Sequence, residues 1–574
     1  MHGGLMRRLV TALLGLSICV FAAHAQELFF RVSLDSVDTG GTSPGRGSGF
    51  LILSSDRTTL QYNITVNNLQ GTITFAHFHY TPTTGVVHTI NFSGKTAVGS
   101  WAIPDTMVNH LFNNEMYVNV HTSANGGGEI RGYPEPHQHG FPIVLNGTKA
   151  GTASTGLGSG WVTFDDSSGS GNIRYRMTYA GLAGARTGAH FHALPQTTVV
   201  HTLAFTDSTA DGTWVSPPDS SVAKLLRGQI YVNIHSTTFG SGDIRSELNL
   251  VGELPAVGNL TGAQASTAAT GTGTVWAVLR PDLSIHYDVT IAKLTGPNSG
   301  SHFHTSRTGS VVHGVTLTNN HASGIWATPS DLDLADFVRN RLYFNVHTTA
   351  NSSGEIRANM AHQDGAFLAT LDGAQASTIS GGKGTGWLVL NEDSVDYHVT
   401  YTGMTGARSS SHFHLSPGGG VIHPITFVDS TSSGRWDPGS NFIQVIRGNV
   451  YVNIHSGTFP LGEIRGNFKP GTGITTAVEA ASQPVPESFA LKQNFPNPFN
   501  PSTQIDFSLP RTARVVLQVY NLLGQPVATL VDRSLDAGDH RATYEARALP
   551  SGVYFYSLSA DGKLVQTRRM LLLK

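Results

Sequence analysis

The segment AHFHYTPTTGVVH, residues 76 to 88, sets His77 and His79 either side of Phe78 and places His88 nine residues beyond His79. The arrangement returns as AHFHALPQTTVVH at 189, SHFHTSRTGSVVH at 301 and SHFHLSPGGGVIH at 411. After each copy, 32 to 34 residues further on, comes a segment YVNVH, YVNIH, YFNVH or YVNIH that ends in a fourth histidine. The quartets are His77, His79, His88 and His121; His190, His192, His201 and His235; His302, His304, His313 and His347; His412, His414, His423 and His455. They take 16 of the 26 histidines, so chance does not explain the pattern. Three or four neutral imidazoles converging on one point suit copper or zinc, at metal–nitrogen distances of about 2.0 Å. The same groups could instead form a hydrogen-bonded cluster, with Tyr117 and Asn119, that pins a hairpin.

Elements that place these side chains follow from the period of two along a strand. His77 and His79 share one face and Phe78 the other, while Val118 and Val120 turn to the core and Tyr117, Asn119 and His121 turn outward. The pairs Glu129 and Arg131, Asp243 and Arg245, Glu355 and Arg357, and Glu463 and Arg465 read as surface ion pairs supporting the last strand, or less directly as carboxylates that orient a ligand histidine. His110, His137, His139, His286, His321 and His398 do not recur in register and read as surface residues.

The first histidine of each HFH falls at 77, 190, 302 and 412, so the unit of architecture is about 110 residues, one domain in size. Each unit opens on a Gly/Ser/Thr-rich turn and an apolar strand, as in GRGSGFLIL at 45, carries a tryptophan after the HFH segment (Trp101, Trp214, Trp326, Trp436), and closes on GEIRG or a near variant. Short alternating runs between turn residues predict an all-β chain of tandem Greek-key or immunoglobulin-like β-sandwiches. The expected bounds are 26–138, 139–253, 254–365 and 366–470, each folding alone as a bead on a string. A linker follows at 471–488, and a small C-terminal β-sandwich at 489–574.

The net charge of −2, with no long basic run, excludes nucleic acid as the expected partner. Arg7 and Arg8, an apolar stretch from Leu9 to Ala23 and Ala23-His24-Ala25 read as a signal peptide, residues 1–25, with the mature chain starting at Gln26. The apolar run is short for the roughly 20 residues of a membrane span, and no second candidate follows. The single cysteine, Cys19, lies in this segment, so the mature chain is expected to lack disulfides and thiolate-bound metal.

The aHFH segment, the VVH after it, the Y-V-N-V/I-H strand and G-E-I-R-G together resemble the CHRD domain family, named after chordin, in four copies over roughly residues 27 to 470. The resemblance implies extracellular β-sandwich modules. An HxH on the outer face of a Greek-key sandwich, joined by a later strand histidine, also looks like the copper side of copper/zinc superoxide dismutase, but the zinc ligands and the disulfide have no counterpart here. The tail, through NFPNPFNPST, VYNLLGQ, L-SGVYFY and a basic-then-apolar terminal strand, resembles the C-terminal sorting domain of type IX secretion cargo. That implies the type IX secretion machinery as a partner and the outside of a Gram-negative cell as destination. GTSPG at 41–45 fits G-x-S-x-G by spacing but leads into a strand rather than from a strand into a helix, so it is no nucleophile elbow, and no H-E-x-x-H or phosphate loop is present. Binding of copper or zinc, or of an extracellular protein or polysaccharide, is therefore expected over catalysis, with a copper enzyme of dismutase type, or a purely structural or adhesive repeat protein with structural histidines, as the alternatives.

Overall fold

The structure, a computed structural model, describes residues 27–470 and 488–573 except positions 82, 138, 165–169, 364, 392–393, 495–496, 498, 512, 523, 536–537 and 547–548. The expected signal peptide lies outside the described residues, as does the expected linker apart from its last position. The fold is all-β, and the chain divides into two units at Ile474 and Thr475.

In the first repeat the strands are β1 (Leu28–Leu34), β2 (Arg46–Leu53), β3 (Thr59–Asn67), β4 (Ile73–Tyr80), β5 (Gly85–Thr89), β6 (Thr96–Ala102), β7 (Met116–Thr122), β8 (Ile130–Gly132) and β9 (Glu135–His137). One sheet runs β6-β3-β2-β1-β9 and the other β5-β4-β7-β8. Alternation builds the core between them. Leu28, Phe30, Val32 and Leu34 from β1 meet Phe78, Val118 and Val120 from the second sheet, and Trp101 closes one end. Burial of each such side chain stabilises by roughly 1.5–3 kcal/mol. A helix, α1 (Asp105–Phe112), covers the bottom through Val108 and Leu111. Asn114, at φ 54°, turns the chain back into β7. In the other repeats the two sheets join at one bridge, Asn146↔Arg245, Thr261↔Arg357 and Asp372↔Arg465.

The repeats are not beads on a string. The outward face of the first sheet is itself apolar, and an uncovered face of that kind must find a partner. Phe29 and Phe50 of repeat 1 pack on Trp161 of repeat 2. Ser48 donates to the Ser159 carbonyl at 2.8 Å, and Ser159 returns the bond to the Ser48 carbonyl at 2.9 Å. Repeats 3 and 4 repeat this arrangement: Trp276 and Val278 pack on Leu368 and Val389, with Thr274 against Thr400 and Thr290 against Thr385, each pair at 2.7 Å. Each pair is thus a slab of four sheets.

Helices join the slabs. Asp219–Leu226 of repeat 2 packs on Asp331–Val338 of repeat 3, flanked by the pairs Arg307–Asp219 and Arg227–Asp331 at 2.8 Å and Arg339–Asp219 at 2.9 Å. On the other side Phe442 and Ile446 of repeat 4 enter the core of repeat 1, and Arg447 pairs with Asp105. Contacts therefore pass from repeat 1 through 2 and 3 to 4 and back to 1.

The C-terminal unit is a separate small sandwich. Ala490–Leu491, Ser502–Leu509 and Gly538–Glu545 form one sheet. Pro526–Leu535, Ala513–Tyr520, Gly552–Ala560 and Lys563–Leu572 form the other, around Phe507, Leu517, Val519, Tyr556 and Met570. Among the described residues no helix is long and apolar enough to cross a membrane.

Candidate metal centre

Strands β4 and β7 pair antiparallel with His77 opposite Asn119, Phe78 opposite Val118, His79 opposite Tyr117 and Phe75 opposite His121. Cross-strand partners share a face. Phe78, Val118 and Val120 fill the core, so His77, His79, Tyr117, Asn119 and His121 stand on the outer face of the second sheet. There one nitrogen from each of His77, His79 and His121 comes within 4.8 Å of the others. The same triad forms from His190, His192 and His235, from His302, His304 and His347, and from His412, His414 and His455.

Backbone carbonyls fix which nitrogens face inward. His79 Nδ1 lies 2.9 Å from the Thr84 carbonyl and His121 Nδ1 2.9 Å from that of Gly126. A carbonyl oxygen only accepts, so each Nδ1 carries the hydrogen and each Nε2 presents a lone pair. The bonds recur in the other repeats, from His192, His304 and His414 to Thr197, Gly309 and Gly419 at 2.9 Å. They recur again from His235 to Gly240 at 3.0 Å and from His347 and His455 to Ser352 and Pro460 at 2.9 Å. His79 Nε2, His192 Nε2, His304 Nε2 and His414 Nε2 are buried without a hydrogen-bond partner. His190 Nδ1 reaches His235 Nε2 at 3.3 Å, a contact an ion between them would replace.

Burial, and then the neighbouring imidazoles, lower the pKa of His77. Burial also lowers that of His79; the Thr84 hydrogen bond opposes the shift, and the charges of His121 and Arg131 add to it. Both rings are therefore neutral at neutral pH, the form that ligates metal.

The fourth member of each expected quartet is elsewhere. A bulge between Phe78 and His79 sets His88 opposite Phe78, on the core side of the sheet. There His88 stacks on Trp101 at 5.0 Å and 12°. His201, His313 and His423 stack likewise on Trp214, Trp326 and Trp436. In every copy the nine-residue spacing thus brings this histidine onto the tryptophan. Each group that can hold an ion thus has three histidines.

The expected surface ion pairs also resolve differently. Glu129 is 2% exposed and accepts from Ser43 Oγ at 2.5 Å, Gln70 N at 2.6 Å and Thr122 Oγ1 at 2.6 Å. Burial pushes its pKa up, but these hydrogen bonds outweigh it and hold the group below its ordinary value. The carboxylate ties the loop before β4 to the end of β7, and Asp243, Glu355 and Glu463 make corresponding bonds to Ser236, Thr348 and Ser456. Arg131 instead lies over the ring of Tyr117 at 4.3 Å, and Tyr117 lies under His79. His–Tyr–Arg stacks recur at 192/231/245, 304/343/357 and 414/451/465.

Several histidines expected at the surface are covered by packing. His139, His286 and His398 are buried, and burial takes His286, His321 and His398 down to about 4. The carbonyls of Thr84 and Gly126 carry no side-chain signal and were not legible. Gly128 was, as the first residue of GEIRG: at φ 118° a Cβ there would sit 2.2 Å from Asn119 Oδ1.

No curated protein matches the chain. Among solved structures, the methylamine-reacted alpha-2-macroglobulin of Salmonella aligns at 10% identity and TM-score 0.15, over 97% of this chain and 40% of that one. Trypsin-activated alpha-2-macroglobulin from Escherichia coli aligns at 8% identity and TM-score 0.12, over 97% and 42%. The chain spans about two fifths of the length of these structures. The model of the secretion system C-terminal sorting domain matches residues 493–572. The CHRD domain model matches residues 30–133, 141–248, 257–360 and 367–468, each span holding one triad. With most of its length in those four spans, the chain belongs to the CHRD domain family and ends in a type IX sorting domain.

Proposed function

We propose that the protein is a secreted or surface-held binding protein in which each CHRD domain carries one copper or zinc ion on three histidines. The sorting domain supports export from a Gram-negative cell. One observation carries the metal reading: in all four domains two histidines spend Nδ1 on a backbone carbonyl and turn Nε2 toward a third histidine, and the Nε2 of His79, His192, His304 and His414 is buried without a partner. A cluster that served only to pin a hairpin would satisfy those nitrogens rather than bury them unpaired. Fixing the tautomer through the other nitrogen is what metal-ligating histidines require. Imidazole-only donors suit Cu²⁺ and Zn²⁺ over Mg²⁺ or Ca²⁺, which take oxygen.

The test is a titration of the purified chain, stripped with chelator, at neutral pH. Uptake of up to four equivalents of Cu²⁺ or Zn²⁺ is expected, with one equivalent lost in His77→Ala/His79→Ala and the near-ultraviolet circular dichroism unchanged. A chain that takes up neither ion has structural histidine clusters. A chain that loads copper yet leaves superoxide decay at the rate of buffer is a binding protein and not a dismutase.

A further inference from the structure

Each triad offers three imidazole nitrogens and no carboxylate. A divalent ion held there keeps its whole charge and at least one open coordination position, since four ligands are the ordinary set for zinc. A guanidinium adds to that field in every domain: Arg131, Arg245, Arg357 and Arg465 lie over the tyrosine rings on which His79, His192, His304 and His414 stack. An anionic oxygen donor is therefore the favoured fourth ligand, and on an outer sheet face it comes from outside the chain.

The fold decides how many such ligands the chain meets at once. The first sheets of repeats 1 and 2 pack on each other, so their triads lie on the two opposite outer faces of one slab. Repeats 3 and 4 do the same in the second slab. Across four sheets the separation is three spacings of about 10 Å, about 30 Å in all. No small chelator spans that distance. A polymer with a carboxylate on every unit meets several sites, and two strands are held on opposite faces. Phe75, 65% exposed on the site face of repeat 1, lies 5.9 Å from His77 and 15° from parallel. An exposed aromatic beside the ion gives a sugar ring a flat apolar contact.

We propose that the metal-loaded triads bind the carboxylates of an acidic polysaccharide, and that their back-to-back placement makes the chain a cross-bridge between polymer strands. This rests on the metal reading above.

The experiment uses the full chain loaded with Cu²⁺, desalted, and counted for copper before any polymer is added. Polygalacturonate is the probe, with dextran and polyglutamate alongside. Copper-loaded protein is expected to gather polygalacturonate into particles that sediment, to leave dextran in solution, and to release the polymer on addition of EDTA. Acetate should shift the visible copper band of the loaded protein. A variant with a single triad, His190→Ala/His302→Ala/His412→Ala, should hold one copper and retain the polymer without cross-linking it. A copper count near zero sinks the metal reading and this proposal together. Four coppers with no retention of polygalacturonate, or equal retention by stripped protein, sinks this proposal and leaves the metal reading standing. Equal or stronger uptake of polyglutamate assigns the sites to acidic peptides instead.

Discussion

The imidazole of His79 lies on the ring of Tyr117, 5.2 Å between centroids and 8° from parallel, and the guanidinium of Arg131 covers the other side of that ring. Three residues far apart in kind thus form one stack that fixes the His79 ring plane, while the Thr84 carbonyl fixes its rotation. A ligand held at two points is oriented before any ion arrives, which is how outlying partners raise metal affinity.

Replacing Tyr117 with Leu removes the stack and leaves every ligand in place. We expect metal affinity at the first site to fall by roughly 10–100-fold, the range for lost outer partners of a ligand. A competition titration against a coloured chelator measures it. Unchanged affinity in a folded variant would show that the carbonyl alone holds His79.

Gly128 sits at φ 118°, where an added Cβ would meet Asn119 Oδ1 at 2.2 Å. Gly128→Ala must either strain the backbone or move Asn119 away from the triad, and a cost on the order of 1–3 kcal/mol follows. Gly126, two residues earlier, has nothing within 4 Å of an added Cβ, so Gly126→Ala is the neutral control. Urea unfolding of the two variants separates them.

How much of this was readable in the sequence depends on what a period of two can say. It placed His77, His79 and His121 on one polar face correctly, because strand alternation depends only on the backbone. It could not place His88, whose side is set by a bulge between Phe78 and His79. Nor could it show that Phe50 and Trp161 face another repeat rather than solvent, since an apolar residue on an outward face reads the same in either case. His398 was misread for that reason: it is 7% exposed and stacks on Trp387 in the slab of repeats 3 and 4.

That burial predicts a pH dependence. His286, His321 and His398 are depressed to about 4, so below the unfolded value of about 6.5 the unfolded chain takes protons that the folded chain refuses. Stability from these groups is whole above about 6.5 and is lost as pH falls from there toward 4. Asp288 works in the opposite sense. Fully buried and accepting from Thr370 and Thr385, with His321 at 3.8 Å, it is raised to about 8, so its penalty grows as pH rises through the range from 3.8 to 8. We expect His398→Phe to flatten the acid side of the stability profile and Asp288→Asn to raise stability near pH 9. Thermal unfolding from pH 4 to 9 reads both.

Deleting residues 489–574 removes the sorting domain and leaves the four CHRD domains whole. The truncated chain is expected in the periplasm and not in the medium or on the cell surface. Fractionation with immunodetection checks this, and undiminished export of the truncated chain would show that the tail is not the signal.

Residues 139–253, taken alone, expose Trp161, which the full chain covers with Phe29 and Phe50, and expose the helix Asp219–Leu226 that packs on repeat 3. Residues 27–253 restore the sheet contact and not the helix contact, so comparing the two fragments isolates the sheet interface. Phe29, Phe50 and Trp161 are large side chains whose burial stabilises by roughly 1.5–3 kcal/mol each, and the reciprocal Ser48 and Ser159 bonds add about 1 kcal/mol apiece. The pair should therefore unfold in one transition several degrees above the single repeat, and should bind less of a hydrophobic dye per repeat, since only its helix faces stay uncovered. Scanning calorimetry of both fragments decides it. Equal melting temperatures would mean that each repeat is stable by itself and that the slab is held by the connecting chain alone.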